Sequence, residues 1–142
     1  MPIEILLVED DTADIRLAQE AFRTTSSFVS IHVASDGLQA MDFLKQRGAY
    51  DGAPRPDIIL LDLNLPLVDG RQLLTLIKRD EEFSAIPVFI VTGSEIEADR
   101  PTSLKNGANG FHRKPVHWEE FESLAKNITD FWANHEALQK SD

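Results

Sequence analysis

Asp62 is the residue around which this chain can be interpreted, because it directly follows four apolar residues, 58–61. An apolar run without polar alternation is typical of a strand that is covered on both faces, as in parallel sheets. Open α/β sheets bind their ligands just beyond the carboxyl ends of the strands. We therefore expect Asp62 to lie where such a protein carries out its chemistry, although an isolated aspartate there is more often a helix cap or a structural hydrogen-bond acceptor.

Three other predicted strands also end in polar side chains, which could join Asp62 at one edge of a sheet. Carboxylates that lie close together raise one another's pKa unless a cation lies among them. A hard divalent cation such as Mg²⁺ suits a site made of oxygen ligands. The side chains concerned are Glu9 and Asp10 after residues 3–8, Thr92 at the end of residues 87–92, and Lys114 after residues 110–113.

These residue types suit phosphoryl transfer. A carboxylate such as Asp62 can attack a phosphoryl group and form an aspartyl phosphate. Mg²⁺ and Lys114 would supply positive charge, and Thr92 could donate a hydrogen bond to a phosphoryl oxygen. The added group carries a charge of about −1.5 to −2 near neutral pH, which is enough to draw Thr92 and Lys114 inward and to move their loops.

Five predicted strands alternate with five helical patterns along the chain. This alternation predicts a doubly wound α/β fold with a parallel sheet, in one domain over residues 1–142. Right-handed crossovers then bring all the strand ends to one edge. Pro101 should shorten or bend the fourth helix. We expect strands at 3–8, 28–34, 58–61, 87–92 and 110–113, and helices at 12–25, from 36 or 37, from 69 or 70, at about 95–106 and at about 117–139.

Composition narrows the classes of function. The chain has 142 residues, of which 42% are hydrophobic, a formal net charge of −10, and no cysteine. The acidic balance argues against binding to DNA or to anionic membranes, and the lack of cysteine excludes thiolate metal sites and cysteine nucleophiles. Neither a membrane span nor a signal peptide is recognisable, so we expect a soluble cytoplasmic protein.

Four sequence motifs together resemble the receiver domain of two-component response regulators, and the resemblance covers nearly the whole chain. It implies a single-domain, flavodoxin-like (βα)5 fold with strand order 2-1-3-4-5 and an extended C-terminal helix. It also implies a phosphoprotein that carries a 4-aspartylphosphate. The motifs are LLVEDD at residues 6–11, IILLDLNLP at 58–66 with Asp69-Gly70 after it, VTGS at 91–94, and GANGFHRKP at 107–115.

The resemblance also implies a role for each residue of the site. In this family the site holds Mg²⁺, for which Mn²⁺ or Ca²⁺ can substitute in crystals. Lys114-Pro115 would be a cis peptide bond. Phe111 stands where many members have a switch aromatic, so its inward or outward packing could report the state. The roles are the acidic pair for Glu9 and Asp10, a direct metal ligand for Asp10, phosphoacceptor and metal ligand for Asp62, a metal ligand for the backbone carbonyl of Asn64, the switch hydroxyl for Thr92, and pairing with the phosphoryl group for Lys114.

A narrower resemblance is to the single-domain response regulators that serve bacterial phytochrome histidine kinases. It follows from PRPDIILLDLNLP, the DGRQLL after it, and Phe131-Trp132 in the last helix. The phosphoryl donor would then be a phosphohistidine on a sensor histidine kinase, and the signal would pass by protein contact. Phe131 and Trp132 could form a homodimer interface, or Phe131 could pack on the core while Trp132 is an ordinary exposed residue.

Three other functions compete with this interpretation. A phosphohydrolase of the haloacid dehalogenase type would have aspartate at position 64, where this chain has asparagine. A flavodoxin needs a phosphate-binding loop after the first strand, and Glu9, Asp10 and Asp11 would repel that phosphate. A receiver that is never phosphorylated would not need the full acidic set with Thr92 and Lys114. We therefore predict a phosphoacceptor protein that is not an enzyme, with at most self-catalysed phosphorylation and dephosphorylation.

Overall fold

The computed structural model describes residues 2–25 and 28–140, with side chains up to residue 136. Five strands alternate with five α-helices, and a short 3-10 turn, Gly48–Tyr50, precedes the third strand. The strands are β1 (Ile3–Val8), β2 (Val29–Ala34), β3 (Ile58–Leu61), β4 (Val88–Thr92) and β5 (Gly110–Arg113). The helices are α1 (Thr12–Thr25), α2 (Gly37–Leu44), α3 (Gly70–Arg79), α4 (Asp99–Lys105) and α5 (Trp118–Lys140).

All strand pairs are parallel, and the strand order is β2-β1-β3-β4-β5. The fold class and the strand order predicted from the sequence are thus confirmed. The register aligns the ends of the central strands, since Val8 pairs with Leu61 and Leu61 pairs with Ile90. Thr92 pairs with Arg113 in the same way. The polar residues that follow these strand ends therefore emerge at one edge of the sheet.

Two apolar layers cover the two faces of the sheet. Successive side chains of a strand point to opposite faces. In β1 this alternation sends Ile5 and Leu7 into the layer that α1 and α5 share, and Leu6 and Val8 into the layer of α2 and α3. Strands that are buried on both faces cannot show polar alternation, which explains the continuous apolar runs in the sequence.

Helix boundaries follow local capping and proline chemistry. The Asp36 carboxylate accepts a hydrogen bond from the Gln39 amide, and Asp69 does the same for the Arg71 amide, so both aspartates cap helices. α4 is shorter than predicted because Pro101 lies in its first turn, where a missing amide hydrogen costs nothing. No described helix combines the length and the hydropathy that crossing a bilayer requires.

The last helix packs one of its two predicted aromatics closely on the sheet. The Phe131 ring meets the Phe89 ring edge-on at 4.9 Å between centroids. Trp132 is half-buried beside the same apolar layer. Phe131 therefore packs on the core, as the alternative to a dimer interface predicted. Trp132 is less exposed than that alternative assumed.

The Lys114–Pro115 peptide bond is trans, so the cis bond that the resemblance implied is wrong for this chain. An X–Pro bond prefers the trans form by about 0.5–1 kcal/mol, and folded chains depart from it only where the surroundings demand it.

Candidate phosphoryl-acceptor and metal site

Three carboxylates meet where β1 and β3 end. Glu9, Asp10 and Asp62 each have an oxygen within 4.8 Å of an oxygen of the other two. Glu9 and Asp62 are buried, whereas Asp10 is exposed and forms the open side of the cluster. The hydrogen bond from the Asp62 amide to the Val8 carbonyl, at 3.1 Å, fixes the two strand ends beside each other.

The Asp62 carboxylate is held by donors on both of its oxygens. The Thr92 hydroxyl donates to Oδ1 at 2.7 Å, and the Asn64 amide donates to the same oxygen at 3.1 Å. The Lys114 ammonium lies 3.0 Å from Oδ2. The side chains of Thr92 and Lys114 therefore both contact the Asp62 carboxylate directly. Asp62 itself is only 4% exposed.

Lys114 balances the negative charge of the cluster. Its Nζ lies 2.9 Å from Glu9, 2.8 Å from Asp14 and 3.0 Å from Asp62. Burial lowers the pKa of Lys114, but the hydrogen bonds to the three carboxylates outweigh burial, and the net effect raises the pKa. The ammonium is therefore charged at any physiological pH, and all three of its N–H groups can donate to carboxylates.

The surroundings of Glu9 favour its neutral form, whereas those of Lys114 favour its charged form. Burial is the largest influence and raises the pKa of Glu9 to about 7, although hydrogen bonds from Lys114 and from the Asp11 amide act against it. One lysine thus does not fully compensate the cluster. A divalent cation among these oxygens would stabilise the charged form of Glu9.

The donor set fits a hard divalent cation. Every ligand offered by Glu9, Asp10 and Asp62 is a carboxylate oxygen, which suits Mg²⁺ or Mn²⁺. The exposed side at Asp10 leaves room for the water molecules that Mg²⁺ usually retains. When bound, the cation would neutralise charge on a phosphoryl group that approaches Asp62.

Asp14 was missed by the sequence reasoning. It lies in the first turn of α1, where its amide bonds to the Asp11 carboxylate at 2.9 Å, and its own carboxylate takes one donor of Lys114. Helical spacing could not have found it, because Asp10 precedes α1 and only Asp14 lies within the helix. An acidic residue in the first turn of a helix is ordinarily solvated and interacts with the helix dipole, so its type and place alone do not indicate a side-chain partner.

Three other predicted residues lie outside the cluster. Phe111 is buried in the layer of α2 and α3, and the Arg100 guanidinium lies 5.8 Å from the centre of its ring. Phe111 is therefore packed inward in this structure. Phe131 and Trp132 belong to α5 and lie on the other face of the sheet.

The comparisons with known proteins agree with this geometry. The family model described as the response regulator receiver domain matches residues 5–126. The chain is 41% identical to the response regulator Rcp1 of Synechocystis sp. over 131 residues, which are 92% of this chain and 89% of that protein.

Two solved structures are similar over nearly their whole length. The Mn²⁺-bound form of Rcp1 has a TM-score of 0.84 at 41% identity, covering 92% of this chain and 94% of that one. The phosphorylated cyanobacterial phytochrome response regulator RcpA has a TM-score of 0.86 at 40% identity, covering 94% and 95%. On the fold, the site and these matches, the chain belongs to the receiver-domain family of response regulators, the signalling proteins of two-component systems.

Proposed function

We propose that this receiver takes a phosphoryl group onto Asp62 from the phosphohistidine of a sensor histidine kinase. An Asp62 oxygen attacks phosphorus, the oxygen–phosphorus bond forms, and the phosphorus–nitrogen bond to the donor histidine breaks. Mg²⁺ would be held by Glu9, Asp10, Asp62 and the backbone carbonyl of Asn64. The observation that carries this proposal is that one buried carboxylate touches both a hydroxyl, Thr92, and an ammonium, Lys114, beside two further acids.

Thr92 and Lys114 are the groups that would respond to the phosphoryl. Its charge of about −1.5 to −2 exceeds that of the carboxylate they now contact, so both would turn towards its oxygens. The signal would then leave by protein contact, with Phe111 as the switch aromatic, and with no catalysis beyond self-catalysed phosphorylation and dephosphorylation.

The similarity to phytochrome response regulators supports a phytochrome as the partner kinase. RcpA is named for a cyanobacterial phytochrome, and a bacteriophytochrome response regulator, AtBRR, matches at 37% identity. The net charge of −10 supports protein partners rather than DNA or an anionic membrane. We propose that the protein meets these partners in the cytoplasm.

Phosphorylation by a small donor tests the function without the kinase. With acetyl phosphate and millimolar Mg²⁺, we expect the intact mass of the protein to rise by one phosphoryl group, about 80 Da. With an excess of chelator we expect no rise, because the carboxylate cluster then repels the anionic donor. A protein that gains no mass in the presence of Mg²⁺ would overturn the proposal, and equal gains with and without chelator would remove the metal from it.

We also propose a homodimer through the end of α5. A groove at the opposite edge of the sheet lies between Trp132 and the residues just before β3 and β4, and it offers a shallow surface next to a half-buried indole. α5 has 23 residues, about 35 Å at 1.5 Å per residue, and a helix of that length can reach a second copy. The face of α4 and β5 could add to the same interface.

Sedimentation of Trp132→Ala against the parent tests the dimer. We expect the variant to dissociate at concentrations at which the parent is dimeric, since aromatic residues at the centre of an interface contribute most to its stability. Trp118→Ala is the matched control, because Trp118 starts the same helix and packs on the same apolar layer. A parent that sediments as a monomer, with and without phosphoryl donor, would rule out the proposal.

A further inference from the structure

α4 is attached to the domain by polar side chains. Its buried residues are Asp99 and Ser103, and Leu104 is exposed. α3, by contrast, buries Leu73, Leu74 and Ile77. Without an apolar face of its own, α4 must be positioned by hydrogen bonds and ion pairs, which are directional and can be exchanged for others.

Arg71 supplies the main polar attachment. Its Nε donates to Asp99 Oδ1 at 2.8 Å and its Nη2 donates to Asp99 Oδ2 at 2.6 Å, a two-point contact between the first turns of α3 and α4. Nη1 also reaches Asp69 at 3.0 Å. The hydrogen bonds from Arg71 are the largest influence on the pKa of Asp99 and lower it, so Asp99 is charged although it is only 6% exposed.

Ser94 connects this ion pair to the phosphoryl-acceptor site. Its hydroxyl donates to Asp99 Oδ2 at 2.5 Å, and its amide donates to the Thr92 hydroxyl oxygen at 3.2 Å. Thr92 in turn donates to Asp62 at 2.7 Å. Hydrogen bonds therefore run without a break from Arg71 through Asp99, Ser94 and Thr92 to Asp62.

Arg71 at one end of this series of hydrogen bonds and a phosphoryl group on Asp62 at the other would draw Ser94 in different directions. A phosphoryl group on Asp62 would attract the Thr92 hydroxyl and the Ser94 amide towards its oxygens, because both are donors that already face Asp62 or its partner. Ser94 cannot follow without pulling on Asp99, which Arg71 holds by two hydrogen bonds. The ion pair therefore favours the arrangement without phosphoryl.

We propose that Arg71 is a positioning residue that, through Asp99 and Ser94, limits how tightly the site holds a phosphoryl group. The proposal rests on the proposed function, and it adds a residue that touches neither the phosphoryl group nor the metal. Removing the ion pair should let Thr92 and Ser94 move to the phosphoryl at a lower cost, and the affinity for that group should rise.

Beryllofluoride, a mimic of the aspartyl phosphate, tests the proposal in the presence of Mg²⁺. We expect Arg71→Gln to bind it about tenfold more tightly than the parent, within the usual range for coupled sites. Asp99→Asn should give the same gain, and the double variant should add little, because both substitutions cut one contact. Arg71→Lys, which keeps the charge and a single hydrogen bond, should lie between the parent and Arg71→Gln.

Arg47→Gln is the matched control, since Arg47 forms an exposed ion pair with Asp42 at 3.1 Å on a different surface. Its beryllofluoride affinity should equal that of the parent. Urea unfolding of each variant separates a structural role from a positioning one. Variants at 71 and 99 that lose stability but bind beryllofluoride with unchanged or weaker affinity would overturn the proposal. A parent that does not bind beryllofluoride at all would overturn the proposed function itself.

Discussion

Asp62→Asn should abolish phosphoryl uptake from acetyl phosphate, so that the variant shows none of the gain of about 80 Da expected of the parent. Asparagine has nearly the same shape but lacks the anionic oxygen that attacks phosphorus. The fold should persist, because Lys114 keeps its contacts to Glu9 and Asp14 when Asp62 is neutral. Intact-mass spectrometry after incubation with donor and Mg²⁺ measures the result directly.

Asp36→Asn is the control for the Asp62 variant. Asp36 caps α2, and asparagine caps helices equally well, so this variant should gain the phosphoryl group as the parent does. Retention of the full mass gain in Asp62→Asn would show that another residue is the acceptor. Peptide mapping of the parent should then place the modification outside residues 58–66.

The position of Asp62 could be predicted from the sequence because a buried strand of a parallel sheet has a pattern that a short segment shows by itself. A strand that is buried on both faces has no polar alternation, and the first polar residue after it must lie at the sheet edge. Glu9 and Thr92 follow the same logic, whereas Lys114 comes after a strand that itself contains the polar residues His112 and Arg113. Parallel pairing then brings the four strand ends together whatever the intervening helices contain.

The polar contacts around the site could not be predicted in this way. Arg71 and Asp99 are 28 residues apart, on the first turns of two helices, and nothing in either segment indicates the other. Their pairing depends on how α3 and α4 are oriented, and a hydrophobic period cannot indicate the orientation of α4, which polar side chains attach to the domain. The start of α4 at Asp99, rather than at about residue 95, could not be predicted for a related reason, since the short helix contains Pro101 and has no clear apolar face.

Gly70→Ala should destabilise the protein by about 3 kcal/mol or more, as expected when a side chain is forced against fixed backbone in a packed region. Gly70 begins α3 directly behind the acceptor. A Cβ atom there would lie 2.1 Å from the Asp62 carbonyl oxygen and 2.5 Å from the Leu63 Cα. Both neighbours are backbone atoms, held by the hydrogen bonds from the Asp62 amide to Val8 and from the Gly70 amide to Leu63, so neither can rotate away.

Gly93→Ala shows whether the loss of stability is specific to the close approach at Gly70. A Cβ atom at Gly93 would meet only the Lys114 Cδ, at 3.9 Å, which is an ordinary contact. The urea midpoint of this variant should therefore stay within the range of an ordinary surface substitution.

The Gly70 variant should also take up phosphoryl at least tenfold more slowly where it is folded, because a shift of about 1 Å in a reacting group costs up to a hundredfold in rate. Equal stability of the two alanine variants would mean that the backbone behind Asp62 yields, and the acceptor carboxylate would then not be held as rigidly as its three donors indicate.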